Sequence, residues 1–187
     1  IQLLLFQRKL KQTKKLKSYI FDNIGPNFSN FYENHLPFEL TGAQKRVLKE
    51  IRRDVKSGAH MNRLVQGDVG SGKTVVALLS MLIAIGNGYQ AAMMAPTEIL
   101  AIQHFEGISD LVKDLQIEVR LLTGSTKVRE RRLIHQELET GFVHILIGTH
   151  ALIEDKVKFK NLGLAIIDEQ HRFGVKQRAK LWLKNEF

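Results

Sequence analysis

Arg63-Leu-Val-Gln-Gly-Asp-Val-Gly-Ser-Gly-Lys-Thr74, running into Val75-Val-Ala-Leu-Leu-Ser-Met-Leu-Ile-Ala-Ile85, is the stretch on which the fold turns. Gly67-Asp68-Val69-Gly70-Ser71-Gly72-Lys73-Thr74 satisfies G-x-x-x-x-G-K-[ST] between an apolar run and an apolar helix, the context that gives this pattern its meaning. Glycines let the backbone wrap a phosphate with its N–H groups, and the following helix turns its positive end toward the anion. Lys73 brings a point charge to the β- and γ-phosphates, and Thr74 offers a hydroxyl to Mg²⁺. The competing reading is a glycine-rich turn that caps a helix. Pattern and flanks together make this a nucleotide site.

Outward from the loop, the chain alternates helix-length segments with short apolar runs. Arg63–Gln66, Ala91–Ala95, Val119–Thr123, His144–Gly148 and Leu164–Asp168 are each bounded by Gly, Pro, Thr or Asp. Buried parallel strands read this way, and five of them with intervening helices predict a three-layer α/β domain with a mostly parallel sheet. Such sheets bind ligands beyond the carboxyl ends of their strands.

The last run ends in Asp168-Glu169-Gln170-His171. An apolar strand delivers Asp168 to a position where it can hold the Mg²⁺ that bridges terminal phosphates, and Glu169 beside it can orient or deprotonate a water. A polar turn after a strand is the plainer alternative, but the phosphate loop needs such a carboxylate. Lys73, Asp168 and Glu169 are therefore the expected catalytic set, with Thr74 and Asp168 on the metal. His171 by itself reads as a turn residue.

The 187 residues carry 28 Lys+Arg against 19 Asp+Glu, a net charge of +9, and no cysteine. Thiol nucleophiles, thiolate metal sites and a disulfide framework are excluded. Six of the 28 cations, from Arg8 to Lys17, precede the first acid, Asp22; the remaining 22 face 19 acids, which leaves +3. Leu3, Phe6 and Leu10 recur at helical spacing there, so a basic amphipathic helix is expected from about Ile1 to Ile20. Residues 1–36 read as this helix plus a linker, and 37–187 as the α/β domain. A basic balance points to a polyanion, nucleic acid before membrane. No apolar run approaches the roughly 20 residues that span a bilayer, so no membrane partner is expected. Starting at Ile1, the chain reads as a piece of a longer protein.

The Asp-Glu-x-His box with the phosphate loop resembles helicase superfamily two, and the flanking words resemble its RecG family: Met94-Ala-Pro-Thr-Glu-Ile-Leu-Ala101, Leu122-Thr-Gly124, Ile147-Gly-Thr-His-Ala-Leu-Ile153 and Asp168-Glu-Gln-His-Arg-Phe-Gly-Val175. These words span residues 61–175 in family order. The transcription-repair coupling translocases share the Arg-Phe-Gly-Val tail but usually have glutamate where Gln170 stands. The resemblance implies a RecA-like P-loop lobe that uses ATP and Mg²⁺ to drive remodelling of branched DNA, stalled forks and Holliday junctions included, in recombination and repair in the bacterial cytoplasm at the nucleoid. It implies an upstream wedge domain, joined through the basic helix, and a second lobe beyond residue 187 with the arginine that completes the catalytic site.

Carried across by motif, the resemblance gives Gln44 the adenine edge and Phe38 a stacking role, although Thr41-Gly-Ala-Gln44 is equally a helix capping box. Pro96, Thr97, Gln103 and His104 match the first DNA-tracking motif, and Thr123, Gly124, Thr149 and His150 the next two. Hydroxyls and helix N-terminal amides suit phosphate oxygens without reading sequence, though helix capping explains the threonines too. In the family His171 couples the nucleotide site to the strand-binding side. Lys45, Arg46, Lys49, Arg52, Arg53 and Lys56 read as a solvated helix face with local pairs. Lys127, Arg129, Arg131 and Arg132 are the better cationic candidates for DNA. A nucleotide-gated DNA-binding module without turnover remains the alternative for this piece, and a small-molecule kinase or transport ATPase the weaker one.

Overall fold

The computed structural model describes residues 20–58, 61–68, 70–182 and 184. The expected basic helix lies outside them, save Ile20. Pro26, with its fixed φ, opens a short helix, α1 (Pro26–Asn30), which continues as one π-helical turn, Phe31–His35. Phe31 is completely buried and Phe21 nearly so, in the same apolar cluster as the central helix. Part of the segment read as a linker thus packs into the core of the α/β domain.

Helix α2 (Gly42–Lys56) starts at a capping box: Thr41 accepts from the Gln44 backbone and Gln44 reaches back to the Thr41 backbone. Its buried positions, Gln44, Leu48, Ile51 and Val55, recur every three or four residues and form one face. Helix α3 (Lys73–Gly86) is buried along almost its whole length from Val75 to Ala84, which explains why its sequence has no polar face.

Strands and helices then alternate: β1 (Gln90–Met94), α4 (Glu98–Val112), β2 (Val119–Leu122), α5 (Val128–Thr140), β3 (Ile145–Gly148), a 3₁₀ turn His150–Ile153, β4 (Leu162–Ile167), a second 3₁₀ turn Gln170–Arg172, and α6 (Val175–Trp182). The sheet order is β2-β3-β1-β4 and every pair is parallel. Alternate residues of β1 face two cores. Ala91 and Met93 pack with α2, α3 and α4; Ala92 and Met94 pack with Ile134 and Leu138 of α5 and with Leu181 of α6. Helices on both faces of a parallel sheet make the three layers. None of the helices among the described residues is long and apolar enough to cross a membrane.

Register decides where function can sit. Met94 pairs with Gly148 and Ile167, and Leu122 with Gly148, so four strands end abreast. Ala95–Thr97, Thr123, Thr149 and Asp168 therefore leave the sheet along one edge. Gly148 is required there, because a Cβ would meet the Leu122 carbonyl oxygen at 1.9 Å and Leu152 Cδ1 at 2.3 Å.

One expected strand does not form. Arg63–Gln66 runs outside the sheet, Leu64 is 60% exposed, and β4 is left as an edge strand. Arg63 supplies the reason: its guanidinium donates to Asp54 at 2.5 and 3.0 Å and to Glu50 at 2.6 Å, anchoring the segment to α2. The same bonds correct the picture of α2, whose acids pair with Arg63. Of its cations, Lys56 pairs with Asp22 at 3.3 Å, outside the helix.

Candidate nucleotide and strand-end site

The loop between Gly67 and Thr74 bends through two left-handed glycines, Gly70 at φ 79° and Gly72 at φ 75°, a region that disfavours side chains. Gly72 caps α3, its carbonyl accepting from Val75 and Val76 at 3.1 and 3.2 Å. The Lys73 ammonium folds back into the loop and donates to the Gly67 and Asp68 carbonyls at 2.6 and 2.7 Å. These carbonyls hold the charge at the mouth of the loop.

Gln44 is only 9% exposed and lies directly on this loop. Its Nε2 donates to the Ser71 carbonyl at 2.8 Å while its Oε1 accepts from Thr41 N at 2.8 Å. A Cβ at Gly72 would stand 2.4 Å from Gln44 Nε2 and 3.4 Å from Phe38 Cζ, so both side chains border the glycine. Phe38 is 45% exposed, with ring surface left for a planar ligand. The capping box and the contact with the loop thus coexist in one amide.

Asp168 emerges from β4 with its N–H on the Met94 carbonyl at 2.9 Å. One carboxylate oxygen accepts from Glu169 N at 3.0 Å and the other from His104 Nε2 at 2.9 Å. The His104 hydrogen bond, more than any other influence, holds the Asp168 carboxyl below its ordinary range against the opposing effect of burial; the positive charge of Lys73 acts in the same direction. Glu169 has φ 45°, the only non-glycine in the left-handed region among the described residues, and pairs with Arg172 at 3.7 Å. A backbone strained at the candidate base belongs to the kind of position where function accumulates. The set suits a polyphosphate carrying a divalent cation: amides and an ammonium for the anion, with a hydroxyl and a carboxylate for the metal.

The strand-end residues separate. Thr97 is exposed and caps α4, accepting from Leu100 N at 3.3 Å. Pro96 is half-buried, and Gln103, Gly124 and His150 are exposed. Thr123 is buried, and its hydroxyl donates to Glu98 Oε1 at 2.9 Å. Ser125 donates to the same oxygen. The Thr149 hydroxyl is buried with no hydrogen-bond partner among the described residues. His104 stands apart from that group, on Asp168. His171 is exposed on its 3₁₀ turn. Of the cationic quartet, Arg131 is engaged, donating to the Thr123 carbonyl at 2.7 Å and to Glu154 at 3.2 Å.

Sequence reasoning missed Glu98, which gathers the Thr123–Ser125 loop. Its position in the first turn of α4 signals only a favourable helix-dipole contact. The loop hydroxyls depress its pKa, Ser125 foremost.

A phosphate loop and an acidic strand end, on a parallel sheet covered on both faces, define a RecA-like P-loop α/β domain. A family model described as DEAD/DEAH box helicase matches residues 41–185, and the chain belongs to that family. It is 53% identical over 184 residues to the ATP-dependent DNA helicase RecG of Synechocystis sp., covering 98% of this chain and 22% of that protein. RecG of Bacillus subtilis is 49% identical over 189 residues, covering 99% of this chain and 28% of the relative. The chain thus spans about a quarter of the length of these relatives. The solved structure of RecG bound to a three-way DNA junction superposes with a TM-score of 0.82 at 48% identity, over 91% of this chain and 23% of that one. Dbp5 of S. cerevisiae bound to RNA and ADP BeF3 shares the fold, with a TM-score of 0.63 at 18% identity over 91% of this chain and 44% of that one.

Proposed function

We propose that this chain is the first motor lobe of an ATP-dependent DNA translocase that remodels branched DNA. The observation that carries the reading is a glycine-bent phosphate loop at the head of α3 together with the Asp168 carboxylate at the end of β4, in a chain that is RecG-like over nearly its whole length. The loop amides of Gly70–Thr74 and the Lys73 ammonium bind the terminal phosphates, while Thr74 and Asp168 would hold Mg²⁺, which would supply charge neutralisation for phosphoryl transfer. Lys73 leaves the Gly67 and Asp68 carbonyls to do so. Glu169 takes up the proton of the attacking water, and Gln44 with Phe38 selects and stacks the adenine. Thr97, Gly124 and their neighbours grip backbone phosphates, which gives tracking without sequence preference. Strand movement requires a second lobe and a wedge that splits the branch. We propose that the parent protein supplies both.

The test is steady-state ATPase of the parent protein with a fork, a four-way junction, linear duplex and no DNA. Turnover stimulated most by branched DNA and abolished by Lys73→Ala is expected, with the isolated 187-residue chain nearly inactive. Turnover indifferent to DNA overturns the reading, and nucleotide binding without turnover makes the chain a gated DNA-binding module.

A further inference from the structure

Helix α4 touches the site at two places. At its first turn Glu98 accepts from the Thr123 and Ser125 hydroxyls on the loop after β2. Six residues later, about 9 Å along the axis, His104 Nε2 lies 2.9 Å from Asp168 Oδ2. An ionised carboxylate only accepts, so the imidazole donates. The His104 side chain is 15% exposed and that of Asp168 29%, so solvent competes weakly for this bond. Between the two contacts α4 buries Ala101, and beyond them Ile108 and Val112, so the helix is seated firmly in the core.

From this geometry we infer that His104 is a positioning residue for the metal carboxylate and couples it to the strand-end loop: α4 acts as a rigid arm with Glu98 on the loop at one end and His104 on Asp168 further along. The inference rests on the reading of Asp168 as the Mg²⁺ ligand. The Asp168 carboxylate is free to rotate about its χ2 bond, and a cation bound through it needs one orientation. Glu169 N fixes one oxygen and His104 the other. Hydrogen-bonded partners of metal-ligating carboxylates typically contribute 10–100-fold to metal affinity or activity. A shift of the Thr123–Ser125 loop moves Glu98, and α4 carries the shift to the His104–Asp168 bond. Strand contact is thereby felt at the metal ligand through two hydrogen-bonded side chains on one helix.

The parent protein tests this with two readouts: the Mg²⁺ concentration for half-maximal binding of a fluorescent ATP analogue, and the ratio of DNA-stimulated to basal turnover. His104→Ala is expected to raise the Mg²⁺ requirement roughly tenfold and to lower the stimulation ratio. His104→Gln, whose side-chain amide also donates, is expected to restore most of both. A structural role alone would lower Tm in both variants and leave the ratio unchanged. Wild-type Mg²⁺ dependence and stimulation in a folded His104→Ala protein overturn the inference. Lys73→Ala separates this outcome from failure of the motor reading, because unchanged nucleotide binding in that variant sinks the motor reading itself.

Discussion

Gln44 donates its side-chain amide to the Ser71 carbonyl at 2.8 Å, so the start of α2 is tied to the phosphate loop by a single residue 27 positions away. The same amide closes the capping box on Thr41. A base contact by Gln44 is thereby linked to loop geometry, because a change in one hydrogen bond of the amide is felt by the other.

Gln44→Ala should therefore do two things at once. Loss of its side-chain bonds to Thr41 N and the Ser71 carbonyl is expected to destabilise the fold by about 1 kcal/mol, read by urea denaturation. In the adenine reading, the preference for ATP over GTP falls, read by competition binding. Unchanged nucleotide preference would confine Gln44 to capping and loop support.

Glu169→Gln keeps the size of the side chain and removes the base. Turnover in the parent protein should drop by about 10²–10⁴-fold, while nucleotide affinity is retained, in contrast to Lys73→Ala, which should lose both. A single-turnover assay alongside equilibrium binding distinguishes the two variants.

The depressed pKa of Asp168 makes stability depend on pH with a definite sign. A carboxyl whose folded pKa lies below its unfolded value, about 3.9 for Asp, contributes stability that is present above the unfolded pKa and lost as pH falls through the folded one. Asp168→Asn should abolish this share, so the stabilities of wild type and variant should converge as pH is lowered through the acidic range. Denaturant titrations at several pH values measure it, and parallel curves would contradict it.

Gly148→Ala should cost at least about 3 kcal/mol. The new Cβ meets the Leu122 backbone carbonyl, which belongs to the adjacent strand and cannot swing away as a side chain end could. Loss of soluble protein or a large fall in Tm is expected. A near-native Tm would mean that β2 and β3 can separate at their carboxyl ends.

Arg63→Ala tests the departure from the expected sheet. Removing the guanidinium releases Glu50 and Asp54 and should destabilise the protein by about 1–2 kcal/mol, since the pairs are partly screened by solvent. Limited proteolysis around Leu64 should also quicken.

The phosphate loop, the helix after it, four of the strands and the acidic strand end were legible in the sequence because each is local. Glycine where φ is positive, an apolar run of strand length and a capping box are written in neighbouring residues. Tertiary structure alone decided what crosses the chain. The spacing of Arg63–Gln66 reads as a strand, yet two acids on α2 hold Arg63 outside the sheet. His104 sits in a DNA-tracking word, but parallel register sets β1 beside β4, and α4, which follows β1, carries the imidazole 64 positions through the sequence to Asp168. Thr123 and Glu98 meet across 25 positions because β2 and β1 both end level with Gly148 of β3, which brings the loop after β2 to the start of α4. Sequence periodicity specifies which face of an element is apolar; which strand lies beside which, and so which polar groups meet at the sheet's edge, depends on burying all those faces at once.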